Sequence, residues 1–161
     1  MAIVVPEHVV EFLGRATVGI GGTRDRDLVP HVHRVSGWSV SDDRQTLTCL
    51  VPPQFTAGLL LALEDNGQFS LTLSEVPSHE TYQFKGNFSA SRPIDAKDVA
   101  ICGRHRERFT KTIAGLFGFS ERALRAYVPP PSVAFDFRLR EIFVQTPGPG
   151  AGKRLVPDST E

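Results

Sequence analysis

The 161-residue sequence carries no excess charge of either sign, with 18 basic residues against 18 acidic ones. A general nucleic-acid binder shows a basic excess that neutralises phosphates, so that class is disfavoured. No uninterrupted apolar run approaches the ~18 residues needed to cross a bilayer as a helix. Residues 1–6 are apolar but short, with neither a basic segment nor a small-residue cleavage site. The expectation is therefore no secretory leader, no membrane attachment and a cytoplasmic location. Cysteine is scarce. Cys49 falls in a predicted strand and Cys102 in a predicted helix, far apart, which reads as two buried free thiols rather than a disulfide. One Trp and two Tyr beside eleven Phe suggest aromatic residues used mainly to fill a core. There is no internal repeat and no domain-sized linker, so one domain is expected.

What is present is a series of short elements. Residues 6–15 read as a helix with Pro6 in its first turn and Gly14 near its end. Strands are predicted over 16–22, 28–38, 45–51, 69–74 and 81–91, with a polar hairpin connection at 21–27 and a bulge or close backbone approach at Gly86. An apolar helix is predicted over 54–64, stopped by Asp65-Asn66-Gly67 with a left-handed cap at Gly67. Asp95 is placed as the N-cap of the longest helix, interrupted around 115–119, and a second helix runs from Ser120 to about Tyr127, where Pro129-Pro130-Pro131 forbids continuation. Alternating Val133, Phe135 and Phe137 give a sixth strand. A charged break at 138–141 and a further strand at 142–144 follow. The tail, 147–161, is Gly/Pro-rich and expected to be flexible. Hairpins joined to helical excursions suggest an α+β, mainly β domain: a small antiparallel barrel of six to seven strands with peripheral helices.

The central stretch is 47–63, a buried strand that stops at Pro52-Pro53 and turns directly into an apolar helix. Such a turn leaves helix-start N–H groups free to hold a phosphate or carboxylate, with Gln54 and Thr56 as added donors. The run Leu59-Leu60-Leu61-Ala62-Leu63 belongs in a core, and a helix so apolar calls for cover on most sides, for instance by a second subunit. Other candidates are weaker. Gly19-Ile20-Gly21-Gly22 precedes a charged hairpin rather than a helix, so it is not a dinucleotide fingerprint. The segment 147–153 lacks the first Gly and the final Ser or Thr of a phosphate loop. His31 and His33 share a strand face as a metal pair would, yet no third ligand follows by spacing, and the expectation is no metal; His33 remains a hydrogen-bonding candidate. The basic cluster 103–111 is interrupted by Glu107 and reads first as a solvated helix face, with an anion contact as the lesser alternative.

Taken together, the strand Val29-Pro30-His31-Val32-His33-Arg34-Val35, the turn at 47–63, Asn66-Gly67 and Thr81-Tyr82-Gln83-Phe84-Lys85-Gly86 resemble the FMN-binding split-barrel family related to pyridoxamine 5'-phosphate oxidase. The resemblance covers roughly residues 6–144, giving one domain over 1–146 and the tail beyond it. It implies a homodimer with FMN in a groove at the subunit interface. It also implies that Arg34 helps to hold the flavin phosphate, that Leu50 and Val51 pass beside the flavin ring, and that Thr81, Gln83 or Lys85 sets a polar group against it. The family's turn usually carries Ser-Arg-Lys, and Gln54, Phe55 and Thr56 stand there instead. Without those cations the implied FMN binding is weak, or absent. The resulting expectation is an FMN-dependent oxidoreductase acting on a small molecule, with the catalytic residues unassigned. The alternative is a non-enzymatic flavin- or small-ligand-binding protein (sensor or storage) on the same fold. A haem-binding relative, prompted by His31 and His33, is a third reading.

Overall fold

Apolar spacing at i, i+3 and i+4 turns residues 7–15 into the first helix, α1 (Glu7–Arg15), which buries Val9, Phe12 and Leu13 on one face. The structure, a computed structural model, describes residues 3–155. The chain continues through β1 (Val18–Arg24), β2 (Pro30–Arg34), β3 (Gly37–Val40), β4 (Thr46–Val51), α2 (Pro53–Asn66), β5 (Gln68–Ser74) and β6 (Thr81–Pro93). Next come α3 (Ala96–Phe117), α4 (Glu121–Tyr127), β7 (Val133–Val144) and the two-residue β8 (Arg154–Leu155). All strand pairs are antiparallel, in the order β2-β1-β5-β6-β7-β4-β3, with β8 added beside β7.

The two edge strands of this sheet, β2 and β3, are neighbours in sequence. The expected single strand over 28–38 is therefore two strands, separated only by Val35 and Ser36. Val35 N–H donates to Gly19 O on β1 (3.1 Å), and Ser36 N–H donates to Leu50 O on β4 (2.7 Å). A two-residue step can join opposite edges only if the sheet has curled until they meet. The expected antiparallel split barrel with peripheral helices is the observed architecture. Gly19 makes the seam possible, because a Cβ there would lie 2.5 Å from Val35 Cγ2 and 2.8 Å from the Trp38 ring.

Inside the barrel, inward-facing residues of each strand meet. Phe69 packs edge-on against Phe135 and Phe137 (4.8 and 5.0 Å between centroids), with Phe12, Leu47, Leu71, Leu73, Phe84, Leu139 and Ile142 fully buried around them. Full burial of each such side chain contributes about 1.5–3 kcal/mol relative to exposure. The phenylalanines thus occupy the core, as their number suggested, and Cys49 and Cys102 are buried free thiols.

Several boundaries differ from the sequence reading. β1 runs on to Arg24, and the turn lies at residues 25–29, where Asp25 Oδ1 accepts from the N–H groups of Asp27 and Val29 (3.0 and 2.9 Å). α3 does not break at residue 115; it continues to Phe117 and ends at Gly118 in the left-handed conformation. Its start is fixed by a reciprocal capping box between Asp95 and Asp98. The charged break at 138–141 is also absent: Arg138 and Arg140 point outward while Leu139 points into the core, and β7 continues past a bulge at Arg140 to the buried Ile142. Gly86 sits at a register shift against β7, where a Cβ would collide with the Arg138 carbonyl. Residues 147–155, placed by sequence in a Gly/Pro tail, turn back so that Arg154 and Leu155 pair with Phe143 and Ile142. The rest of the tail lies outside the described residues.

Candidate functional site

β4 ends where Pro52 and Pro53 remove two backbone donors, and Pro53 then begins α2 with its φ already set for a helix. No side chain caps α2; Pro52 and Pro53 have no N–H and the Phe55 N–H donates to Pro52 O (3.2 Å), so of its first three positions only Gln54 keeps a backbone N–H open to an acceptor. Gln54 and Phe55 face outward there. Thr56 does not: its hydroxyl lies 3.2 Å from Pro52 O and 3.0 Å from Ser132 Oγ, which uses it within the fold.

Arg34, the last residue of β2, comes to the same place from the opposite side. Its guanidinium lies 4.4 Å from the centroid of Tyr127 and 5.1 Å from that of Phe109. Those two rings are nearly parallel (13°) and 6.0 Å apart, so α3 and α4 together hold the cation. Each cation–π contact is worth about 0.5–2 kcal/mol depending on exposure. Among the described residues no carboxylate pairs with Arg34. A cleft of about 310 Å³ opens between Arg34, Ser36, Gln54, Phe55, Tyr127 and Pro129, with no acidic residue in its wall. Ser36 Oγ donates to Pro129 O (2.8 Å), which ties the segment after α4 to the seam. Beyond Tyr127 a more apolar groove of about 470 Å³ continues between α3 and α4 and shares Arg34.

His33 stands behind this cleft rather than in it. It is 5% exposed and packed against Phe55 and Phe69 (5.7 and 6.3 Å), and its Nε2 has no hydrogen-bond partner among the described residues. Loss of water, helped by the charge of His31, pushes its pKa down to about 4. It is a neutral wall residue. His31 shares its face, as alternation predicted, but α2 covers that face and His31 Nε2 lies 3.3 Å from Asp25 Oδ2. Among the described residues no three His, Cys, Asp or Glu side chains gather as a metal site.

The other expected residues lie apart from the cleft. Leu50 is buried beneath α3 with Cys102 and Ala134, while Val51 faces the barrel core. Their carbonyls accept from Ser36 and Ser132 N–H, so neither strand edge is open. Thr81, Gln83 and Lys85 point outward from β6: Thr81 Oγ1 donates to Ser74 Oγ (2.9 Å), Gln83 donates to Thr72 Oγ1 (3.3 Å), and Lys85 Nζ lies 4.7 Å from the Phe143 ring centroid. The register places Arg34, Ile20, Thr72, Gln83 and Phe143 in one row across the outer sheet face. At ~4.8 Å per strand, Gln83 is about 14 Å from Arg34. Arg34, Gln54 and Phe55 are thus brought together, and the β6 residues are not.

The sequence matches no family model, and no curated protein matches it. Solved structures do. HupZ of Group A Streptococcus superposes with a TM-score of 0.57 at 16% identity, over 92% of this chain and 99% of that one. An F420 reductase gives 0.55 at 15% identity, over 86% and 98%. A putative pyridoxamine 5'-phosphate oxidase from Lactobacillus delbrueckii gives 0.53 at 17% identity, over 87% and 93%. The chain has the split-barrel fold. In this split barrel, sequence reasoning missed Phe109 and Tyr127, the rings that hold Arg34. A Tyr two residues before a proline run was the available signal, but its partner on α3 is visible only after folding.

Proposed function

We propose that this chain is an FMN-binding protein that acts as an oxidoreductase on a small molecule, with the cleft at Arg34 taking the flavin phosphate. The observation that carries the reading is Arg34 itself: a cation without a carboxylate partner, fixed over two rings, beside an uncapped helix start. A phosphate with a charge of about −1.5 to −2 suits that donor set, so the residues fit the group. Arg34 and the backbone N–H of Gln54 would orient the phosphate, and the Gln54 side-chain amide adds a neutral donor. Phe55 closes the inner side and keeps water from His33. When bound, the flavin ring supplies hydride or electron transfer. The neutral Gln54-Phe55-Thr56 turn predicts looser retention than a turn with cations.

A homodimer belongs to the same proposal. The outer face of β1, β2, β5 and β6 presents Val32 (65% exposed) and Ile20 (38%) beside Thr72, Gln83 and Lys85. A second copy on this face would cover its apolar residues and carry its own β6 residues toward the cleft. Light scattering checks this directly: Ile20→Lys should yield a monomer from a dimeric parent, and a monomeric parent overturns the claim.

FMN titration followed by flavin fluorescence tests the cofactor. Arg34→Ala should weaken binding about tenfold, the loss of one charge-assisted contact, while Arg106→Ala should not. A colourless protein that ignores saturating FMN rejects the reading. The second reading, a flavin-binding sensor or storage protein, is favoured by one observation: no carboxylate, thiol or imidazole lines the cleft. FMN binding without turnover by nicotinamide donors would decide for it.

A further inference from the structure

A second cleft lies on the other side of the seam, between the end of α1, β3 and the inward face of α3. Its volume is about 300 Å³. The α3 residues in its wall are Lys97, Ile101, Arg104, His105 and Arg108, a spacing that puts all five on one helical stripe. Leu13 and Trp38 form the opposite wall, and no acidic residue contributes to it. Lys97 also borders a neighbouring depression that contains Asp42 and Asp98, so the two arginines are the cations committed to this cleft.

Arg108 is anchored. Its Nε donates to Ala16 O (3.0 Å), the carbonyl that follows α1, and one terminal nitrogen approaches His105 Nδ1 at 3.5 Å. Its other terminal nitrogen is uncommitted among these contacts. Arg104, one turn earlier, has no hydrogen bond or ion pair among the described residues. Like charges at i, i+4 repel, and the nearest acid on α3, Glu107, is paired with Lys111 at 2.8 Å instead.

His105 backs the cleft. It is 2% exposed, its ring meets the Trp38 ring edge-on at 4.2 Å, and its Nε2 has no partner. A guanidinium only donates, so the contact from Arg108 makes Nδ1 the acceptor and leaves the imidazole proton on Nε2. Burial, then Arg108 and Arg34, hold the ring neutral, with a pKa of about 3. The wall thus contains two guanidinium groups around an apolar floor, with a neutral histidine buried behind them.

We propose that this cleft binds a compact organic phosphate, with the phosphate oxygens at Arg104 and Arg108 and the apolar body against Trp38 and Leu13. Two adjacent guanidinium groups match a tetrahedral dianion, and the anion relieves their repulsion. The site is separate from the Arg34 cleft and stands whether or not FMN binds there.

Trp38 is the sole tryptophan of the chain, so its fluorescence reports the cleft. The full chain is titrated with phenyl phosphate, inorganic phosphate and phenol at constant ionic strength. Saturable change with phenyl phosphate, none with phenol, and weaker binding of inorganic phosphate is the expected result. Arg104→Gln, an exposed position with no structural contact, should weaken phenyl phosphate about tenfold. Lys111→Gln, on the same helix outside the cleft, and Arg34→Ala should leave it unchanged. No saturation, an equal response to phenol, or equal losses in Arg104→Gln and Lys111→Gln would overturn the proposal.

Discussion

The two clefts of this barrel are built from different materials. At the turn into α2 the donors are mostly neutral, the backbone N–H and side-chain amide of Gln54, with Arg34 as the one cation in the wall. Beside α3 the donors are guanidinium groups ranked along a helical stripe. Each cleft is backed by a buried neutral histidine with an unpartnered Nε2, His33 in the first and His105 in the second. Cations and helix starts need not coincide: the cleft at a helix start is the one poor in cations.

The largest effect that sharpens this comparison is acid sensitivity. Both histidines have folded pKa values below the ordinary 6.5, about 4 for His33 and about 3 for His105. Their stabilising contribution is complete above about pH 6.5 and is lost as pH falls, since the unfolded chain then binds protons that the folded one refuses. The loss should reach roughly 3 kcal/mol for His33 and roughly 5 kcal/mol for His105 once each folded pKa is passed. Urea unfolding across that pH range should show it. His33→Leu should flatten the curve down to about pH 4 only, whereas His105→Leu should flatten it further, to about pH 3. Indistinguishable curves would mean that the two walls are not differently buried.

Next in size is a reciprocal pair of losses. Arg34→Ala should weaken FMN about tenfold and leave phenyl phosphate alone, and Arg104→Gln should do the reverse. A variant that harms both would merge the clefts into one site. The smallest effect is a gain. Thr56→Lys should tighten FMN a few-fold, about 0.5–1 kcal/mol, by adding a cation at the turn. The same change should cost about 1–2 kcal/mol of stability, because it removes the Thr56 hydroxyl contacts to Pro52 O and Ser132 Oγ and sets a cation against the helix dipole. Calorimetry alongside flavin titration separates the two, and unchanged FMN affinity would place the phosphate elsewhere.

Local chemistry was legible in the sequence. The apolar spacing of α1, the proline start of α2 with its Gly67 cap, the alternation of β5 and the Asp95 cap of α3 all depend on residues within a turn or two. The errors were largely non-local. Between Leu28 and Trp38 the Ser36-Gly37 pair is the local break signal, and what divides β2 from β3 is the meeting of two sheet edges formed by distant strands. The charges at 138–141 looked like a loop because the inward Leu139 was outweighed by its neighbours. Of the expected site residues, Arg34, Gln54 and Phe55 line one cleft, since they lie beside turns that sequence can place. Leu50 and Val51 were expected beside the flavin ring; both are buried on β4, which lies between β3 and β7. The basic stripe of α3 was seen but read as solvated, because only the packed structure sets Arg104 and Arg108 opposite Trp38.

The seam at Val35 and Ser36 has a consequence for the lengths this chain can adopt. Arg34 is in register with Ile20 and Gly37 with Leu50, so the two residues between them act as a ruler spanning the closure. Adding or deleting one residue there would shift one strand by a single place. In a structure of period two, that turns every side chain to the opposite face: either Arg34 swings into the core or Trp38 swings out of it. Surface loops elsewhere can absorb insertions, but this step cannot, and the two clefts are bound to a common length.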